Sequence, residues 1–395
     1  MQYTPTAPQW VLPDDPFFFD VGSLYESLER LTDRRSARGL RYPLPVALVL
    51  IILAKLAGEQ EARGIAQWVA LRQSMLYAAL HFERDTVPHP TTYSRILGNA
   101  VDVAELQQSC AAFLLAASAV SEAVEINLDG KLLKGTIPAG QTNGLHLLAA
   151  YLPDAGIVLM QMEVGTKENE IVVAPRLLKL VDLQGKILTG DAMFAQRELS
   201  KQVVKAGGHY VWSVKDNQPD LRADIEALFT IEEGQTALKV MANDFQQAAS
   251  LDKAHGRLEQ RRLTSSAMLS GAVKWPHLGQ VFKIEREIEQ LNTGKRRYEV
   301  SYGVTSLGRQ EADAESLLKI VRKHWQIENG LHYRRDWTLR EDYCRLKTGA
   351  AAEAMAIINN LVIGLVRRAG FQYLPDGRRK YSAQPLEALR LILRR

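Results

Sequence analysis

Apolar residues recur at three- and four-residue intervals through LYESLERL, through the long run ending at Ala57 and through RGIAQWVALRQSMLYAALHF, so residues 21–115 are expected to be helical. VPHPTTYSRIL opens another helix after a proline break, with Thr91 or Thr92 as its N-cap. From about residue 122 the period shortens. VEINLDG, HLLAAYL and IVLMQMEV read as strands, the last two joined by the turn PDAG. APRLLKLV is then a helix, GKILTGDA a fourth strand, AQRELSKQVVKAG a helix ending on glycine, HYVWSV a fifth strand and DLRADIEALF a helix. Three strands with hairpin-type connections, followed by helix, strand, helix, strand, predict an α/β layer in which an antiparallel meander leads into a parallel half. After Phe229, GRLEQRRLTSS, QVFKIEREIEQ and RRYEVSYGVTS read as amphipathic strands, the last two joined by LNTGK, so a β-rich stretch at about 230–308 interrupts the α/β unit. Helix resumes near 311 and runs through VRKHWQIENGLHYRRD, with more helix at 348–369 and 383–393.

At 395 residues the chain is long enough for two or three domains. The pattern divides it into a helical N-terminal domain at 1–120, an α/β domain at 121–345 carrying the β-rich insertion, and C-terminal helices at 346–395. The apolar stretch YPLPVALVLIILA, interrupted by prolines and closed by Lys55, is too short to span a bilayer and reads as a buried helix. Residues 1–20 are acidic and proline-rich, unlike a signal segment. Two cysteines, Cys110 and Cys344, far apart in sequence, suggest a reducing compartment, with the cytoplasm as default. Net charge is +4, but residues 334–395 carry 13 basic against 6 acidic side chains. A basic C-terminal region would attract a polyanion; a solvated helical surface would account for it equally well.

Asp129 ends the first strand in NLDGKLLKG and Asp191 ends the fourth in ILTGDAM. Each alone fits an ordinary turn. If the first and fourth strands are neighbours, the two carboxylates approach each other at strand ends, where ligand sites of such sheets lie. Paired carboxylates repel unless a cation neutralises them, and oxygen ligands suit Mg²⁺ or Mn²⁺. On the last helix His324, Glu328, His332 and Arg335 share one stripe. That stripe fits a salt-bridged solvent face, a zinc site, or the third acid of a two-metal centre for phosphoryl chemistry. Zinc explains neither aspartate. Lys167, Asn169 and Glu170 precede a helix, where capping alone could explain them, and Asn217 and Gln218 precede another, where a helix N-terminus could bind phosphate. Trp275, Tyr298 and Tyr302 in the insertion read as strand-packing residues, with stacking on an unpaired base as the functional alternative.

Taken together, NLDGKLLKG, GTKENEI, LTGDAM, VKDNQPDL, HGRLEQR and VRKHWQIENGLH resemble a DDE transposase of the ISAs group of bacterial insertion sequences, the H-repeat-associated proteins. The resemblance spans most of the chain. It implies an RNase H-like mixed sheet flanked by helices, with a β-rich insertion between the second and third acids. It also implies Mg²⁺-dependent cleavage at transposon ends and strand transfer into target DNA, with Mn²⁺ able to substitute. The three acids fall on Asp129, Asp191 and Glu328, as catalytic residues and metal ligands. Lys131, Lys167, Asn169, Asn217, Gln218, His324 and Arg335 are the expected DNA contacts. Val321 and His324 stand where many relatives carry tyrosine and arginine, and Arg335 where they carry lysine. The implied partners are double-stranded DNA, as inverted repeats and target, and a second copy of the chain on that DNA, with no membrane; bound to DNA, the protein would sit in the nucleoid of a bacterial cytoplasm. An RNase H-like nuclease that cuts without joining, and a DNA-binding protein that has lost catalysis, are the alternatives.

Overall fold

A computed structural model describes residues 22–36, 38, 40–116, 125–234, 244–254, 256–344, 346 and 349–393, with side chains of 231–234 left aside. The acidic, proline-rich opening segment, the expected domain boundary at 120–121 and residue 345 of the other expected boundary lie outside the described residues.

Six helices come first: α1 (Leu24–Glu29), α2 (Leu44–Leu56), α3 (Ala62–Ala70), α4 (Gln73–Ala79), α5 (Pro90–Arg95) and α6 (Val103–Ala116), with a π turn at Ile96–Ala100 before the last. The run expected as one helix from Arg63 to Phe82 breaks at Leu71–Arg72 into α3 and α4. His89, rather than a threonine, caps α5: its ring accepts the Thr91 N–H, and Pro90 occupies the first helical position.

The strands follow: β1 (Glu125–Leu132), β2 (His146–Leu152), β3 (Ile157–Val164), then α7 (Glu170–Leu178), β4 (Ile187–Gly190), α8 (Arg197–Lys205), β5 (His209–Val214), α9 (Pro219–Gly234), β6 (Gln246–Ala254), β7 (Arg257–Ser266), β8 (Gln280–Gln290), β9 (Arg296–Thr305) and α10 (Ala314–His324). They form one nine-stranded sheet in the order β3-β2-β1-β4-β5-β9-β8-β7-β6. β1, β2 and β3 are antiparallel neighbours, while β1–β4 and β4–β5 pair in parallel, the predicted meander and parallel half. This is the RNase H-like mixed sheet that the resemblance implies. The β-rich insertion does not form a separate layer: β9 pairs antiparallel with β5, so the insertion prolongs the same sheet. Its outermost strand, β6, was not expected from the sequence. Trp275 is buried, as a packing residue would be, whereas Tyr298 is exposed. Leu317, Leu318 and Ile320 of α10 pack into a core with Val211, Leu263, Phe282 and Ile284, which seats that helix on the sheet.

Three helices close the chain: α11 (Ala351–Arg368), α12 (Leu374–Ala383), which the sequence reading missed, and α13 (Pro385–Leu393). The described chain divides into two compact units. One comprises residues up to Ala119, Leu133–Leu145 and Arg334–Arg395; the other comprises Val120–Leu132 and His146–Tyr333. In the first unit α2 is buried along nearly its whole length and packs against α1, α3, α11, α12 and α13, which explains its uniformly apolar sequence. Among the described residues no helix is long and apolar enough to cross a membrane.

Candidate active site

β1 and β4 run in parallel with Asn127 opposite Thr189. Asp129 lies two residues beyond Asn127, within β1, and Asp191 lies two beyond Thr189, one residue past the end of β4, so both follow the paired segment in the same direction. The chain leaves β1 toward β2 on one side and reaches β4 on the other, so this is where the sheet's topology switches. Asp129 accepts the Gly130 N–H at 2.9 Å. Burial raises its carboxyl to about 6; the His332 ring opposes the shift, and the charges of Glu328 and Glu170 add to it. Asp191 caps a 3-10 turn, Ala192–Phe194, by accepting the Met193 N–H at 3.0 Å. Desolvation raises its carboxyl too, with Glu170 adding to the rise and Lys215 opposing it.

Glu328 is brought to Asp129 by a stitched helix end. The buried Asn127 donates its amide to the carbonyls of Lys323, at 2.9 Å, and His324, at 3.1 Å, at the end of α10, where helix carbonyls lack their usual partners. The Thr189 hydroxyl lies 2.9 Å from Asn127 Oδ1 and 3.0 Å from His324 Nδ1. Lys323 pairs with Glu125 at 2.6 Å and Asp154 at 3.1 Å. Fixed there, the chain breaks at Trp325 and rewinds as a π turn over Glu328–His332, closed by the Tyr333 N–H on the Glu328 carbonyl. Asp129, Glu328 and His332 then present ligand atoms that all lie within 4.8 Å of one another. His332 Nδ1 is 3.5 Å from Asp129 and 3.7 Å from Glu328. The Glu328 side chain is 57% exposed, and the neighbouring His332 ring holds its carboxyl below the ordinary range, with the Lys131 charge contributing.

A further carboxylate stands beside these, one that the sequence reading had left to capping. Glu170, the first residue of α7, is buried and pairs with His146 at 2.9 Å. A Cβ at Gly130 would fall on the Glu170 carboxyl, so only glycine at that position lets the side chain lie across β1 next to Asp129. The visible signal was the Asp-Gly pair at the end of a strand, which reads as a turn but here continues the strand. The donor set is therefore rich in carboxylate oxygen, carries one imidazole and is self-repelling without a cation. It fits a divalent metal ion.

The expected DNA contacts fare unevenly. Arg335 is fully buried in the helical unit, its Nε 2.6 Å from Glu341, which Asn359 also holds at 2.8 Å. An internal ion pair, not a phosphate contact, explains that arginine. His324 is turned to Thr189, and burial pushes its ring down to about 4, so it is neutral and outside the acidic cluster; this removes the zinc reading of the original stripe. Asn169 caps α7 through the Val172 N–H at 3.1 Å. Asn217 and Gln218 donate to the carbonyls of Ala192, at 2.6 Å, and Ala195, at 2.9 Å, and so pin the loop that carries Asp191. Lys131 is buried on β1, and Lys167 is exposed in the loop before α7.

Residues 125–365 match the family described as Transposase DDE domain, and residues 25–114 match the companion described as DDE_Tnp_1-associated. The chain belongs to the DDE transposase family: it is a DNA transposase, an enzyme that acts on DNA in a family that uses divalent metal ions. Two relatives come from Escherichia coli (strain K12), "Putative protein YbfL" and "H repeat-associated putative transposase YhhI". Each is 26% identical over 355 residues, covering 88% of this chain and 91% of the relative. Among solved structures, a cryo-EM structure of the piggyBac transposase synaptic complex with hairpin DNA aligns with a TM-score of 0.45 and 11% identity, over 93% of this chain and 78% of that one.

Proposed function

We propose that Asp129, Asp191 and Glu328 are the catalytic acids of this transposase, that they hold Mg²⁺ with Mn²⁺ as a substitute, and that the chain cleaves the inverted repeats at transposon ends and joins the freed 3′ ends to target DNA. The observation that supports this most directly is the approach of Glu328 to within 4.8 Å of Asp129 across a long sequence separation, with Asp191 just past the end of the strand that pairs with β1. A divalent ion at such a site would activate the attacking oxygen and stabilise the leaving one. The protein's own part is positional. Asn127 and Thr189 fix the helix end that delivers Glu328, while Asn217 and Gln218 fix the Asp191 loop. Lys167, exposed in the loop before α7, is the remaining candidate for a phosphate contact. We assign end recognition to the helical domain at 1–120 and general backbone affinity to the basic helices at 346–395, and we expect a homodimer on DNA in the cytoplasm.

The test is to incubate the purified protein with labelled end DNA and Mg²⁺ or Mn²⁺, scoring nicking and strand transfer separately. Asp129→Asn, Asp191→Asn and Glu328→Gln should each abolish both while end binding survives. Cleavage at the wild-type rate in any of the three would overturn that residue's assignment. Nicking without joining by the wild type would favour a plain nuclease.

A further inference from the structure

We infer that His332 is a nitrogen donor to the divalent ion, so that with Asp129 and Glu328 it forms a mixed nitrogen–oxygen site favouring Mn²⁺ over Mg²⁺. This rests on the proposed role of the two acids and goes beyond it, because the three-acid reading contains oxygen ligands only.

Four observations carry it. First, the His332 side chain is only 8% exposed, yet its Nδ1 faces the two carboxylates. Second, the separations of 3.5 and 3.7 Å are longer than the 2.7–3.2 Å of a good N–H···O bond. They suit donors that would share an ion at about 2.0–2.3 Å each. Third, among the described residues His332 Nε2 is buried with no hydrogen-bond partner, and it is Nδ1 that faces the carboxylates of Asp129 and Glu328. Fourth, the π turn places both ligands from one short segment, Glu328 outward and His332 inward, and turns of this kind recur at functional sites.

The chemical consequence is selectivity. Mg²⁺ demands oxygen and keeps its waters, whereas imidazole suits the later first-row ions, and affinity for a given site rises along that row from Mn²⁺. A site of carboxylates alone would treat Mg²⁺ and Mn²⁺ more evenly. The arrangement also explains the burial of a histidine among acids without calling on the zinc stripe, from which His324 is absent.

The test uses the full-length protein, labelled with ¹⁵N-histidine or unlabelled, titrated with Mn²⁺ without DNA and followed by pulsed electron paramagnetic resonance. The expected result is a directly coupled imidazole nitrogen in the wild type, present in His146→Gln and lost in His332→Gln. The ratio of Mn²⁺ to Mg²⁺ affinity should also fall at least tenfold in His332→Gln. Because the wild-type spectrum needs no variant, the inference stays testable even if His332→Gln folds poorly. Mn²⁺ binding that Asp129→Asn weakens, but with no nitrogen coupling in the wild type, would overturn the role of His332 and leave the acid site standing. Nitrogen coupling that vanishes in His146→Gln and persists in His332→Gln would overturn it as well. Mn²⁺ binding indifferent to Asp129→Asn would overturn the acid site itself.

Discussion

Asp129→Asn should make the metal-free protein more stable while destroying its activity. The Asp129 carboxyl titrates at about 6 in the folded protein, against 3.8 unperturbed, chiefly because it is buried. The unfolded chain therefore loses this proton near pH 4 and the folded chain near pH 6. Between those values the folded state holds the extra proton, so stability falls as pH rises through the window and levels off above it. A gap of about two units corresponds to roughly 3 kcal/mol, and residual solvent access reduces the realised value to about 1–3 kcal/mol. Asparagine removes the charge and retains an oxygen for the Gly130 N–H, so little is lost in exchange. In EDTA at pH 8 the variant should exceed the wild type by about 1–3 kcal/mol, and at pH 4 the difference should vanish. For a melting unit of about 150–250 residues each kcal/mol is about 2–4 °C, so scanning calorimetry should resolve it. Saturating Mn²⁺ should reverse the order by stabilising only the wild type. A variant no more stable than the wild type at pH 8 in EDTA would refute the picture of a carboxylate whose charge is disfavoured by its burial.

Asn127→Ala should remove both amide hydrogen bonds to the end of α10, lowering stability by about 1–3 kcal/mol and slowing cleavage through displacement of Glu328, with DNA affinity unchanged; denaturant melts and filter binding check both halves. Gly130→Ala should force the Glu170 carboxyl off His146 and reduce cleavage at least tenfold, and Glu170→Gln should do the same without the steric cost, as single-turnover rates will show. Arg335→Ala should cost about 3–5 kcal/mol by stranding the Glu341 charge, with the salt dependence of DNA binding unaltered in whatever protein folds; a reduced salt slope would restore the phosphate-contact reading.

The strands were legible because their apolar alternation is strong, and so was the neighbourhood of β1 and β4, because connection rules leave few places for a fourth strand. β6 escaped because QQAASLDKA has no apolar alternation: its one large apolar residue, Leu251, is exposed, as a sheet edge allows. The stripe on the last helix was read with a constant period of 3.6. The break at Trp325 and two π turns, at Glu328–His332 and Arg334–Thr338, make that period wrong, which is why His332 joins the acids and His324 does not. Arg335 misled for a different reason: a charged residue on a helix reads as surface unless its partner is known, and Glu341 and Asn359 declare themselves only in three dimensions. Glu170 was in view within GTKENEI, but nothing local distinguishes a capping acid from one that crosses a neighbouring strand.

The stitch between Asn127 and the end of α10 joins residues 197 apart in the chain. A ribosome adding about 5–20 residues per second needs roughly 10–40 s to pass from one to the other. From Asp191 onward in that interval a nascent chain has both aspartates synthesised, but not the helix end that delivers Glu328. Non-local pairings of this span are also slow to close after synthesis. The order of synthesis thus acts as a timer: with Glu328 as the proposed third acid, a translation product that stops before Lys323 lacks both that acid and the helix end that carries it.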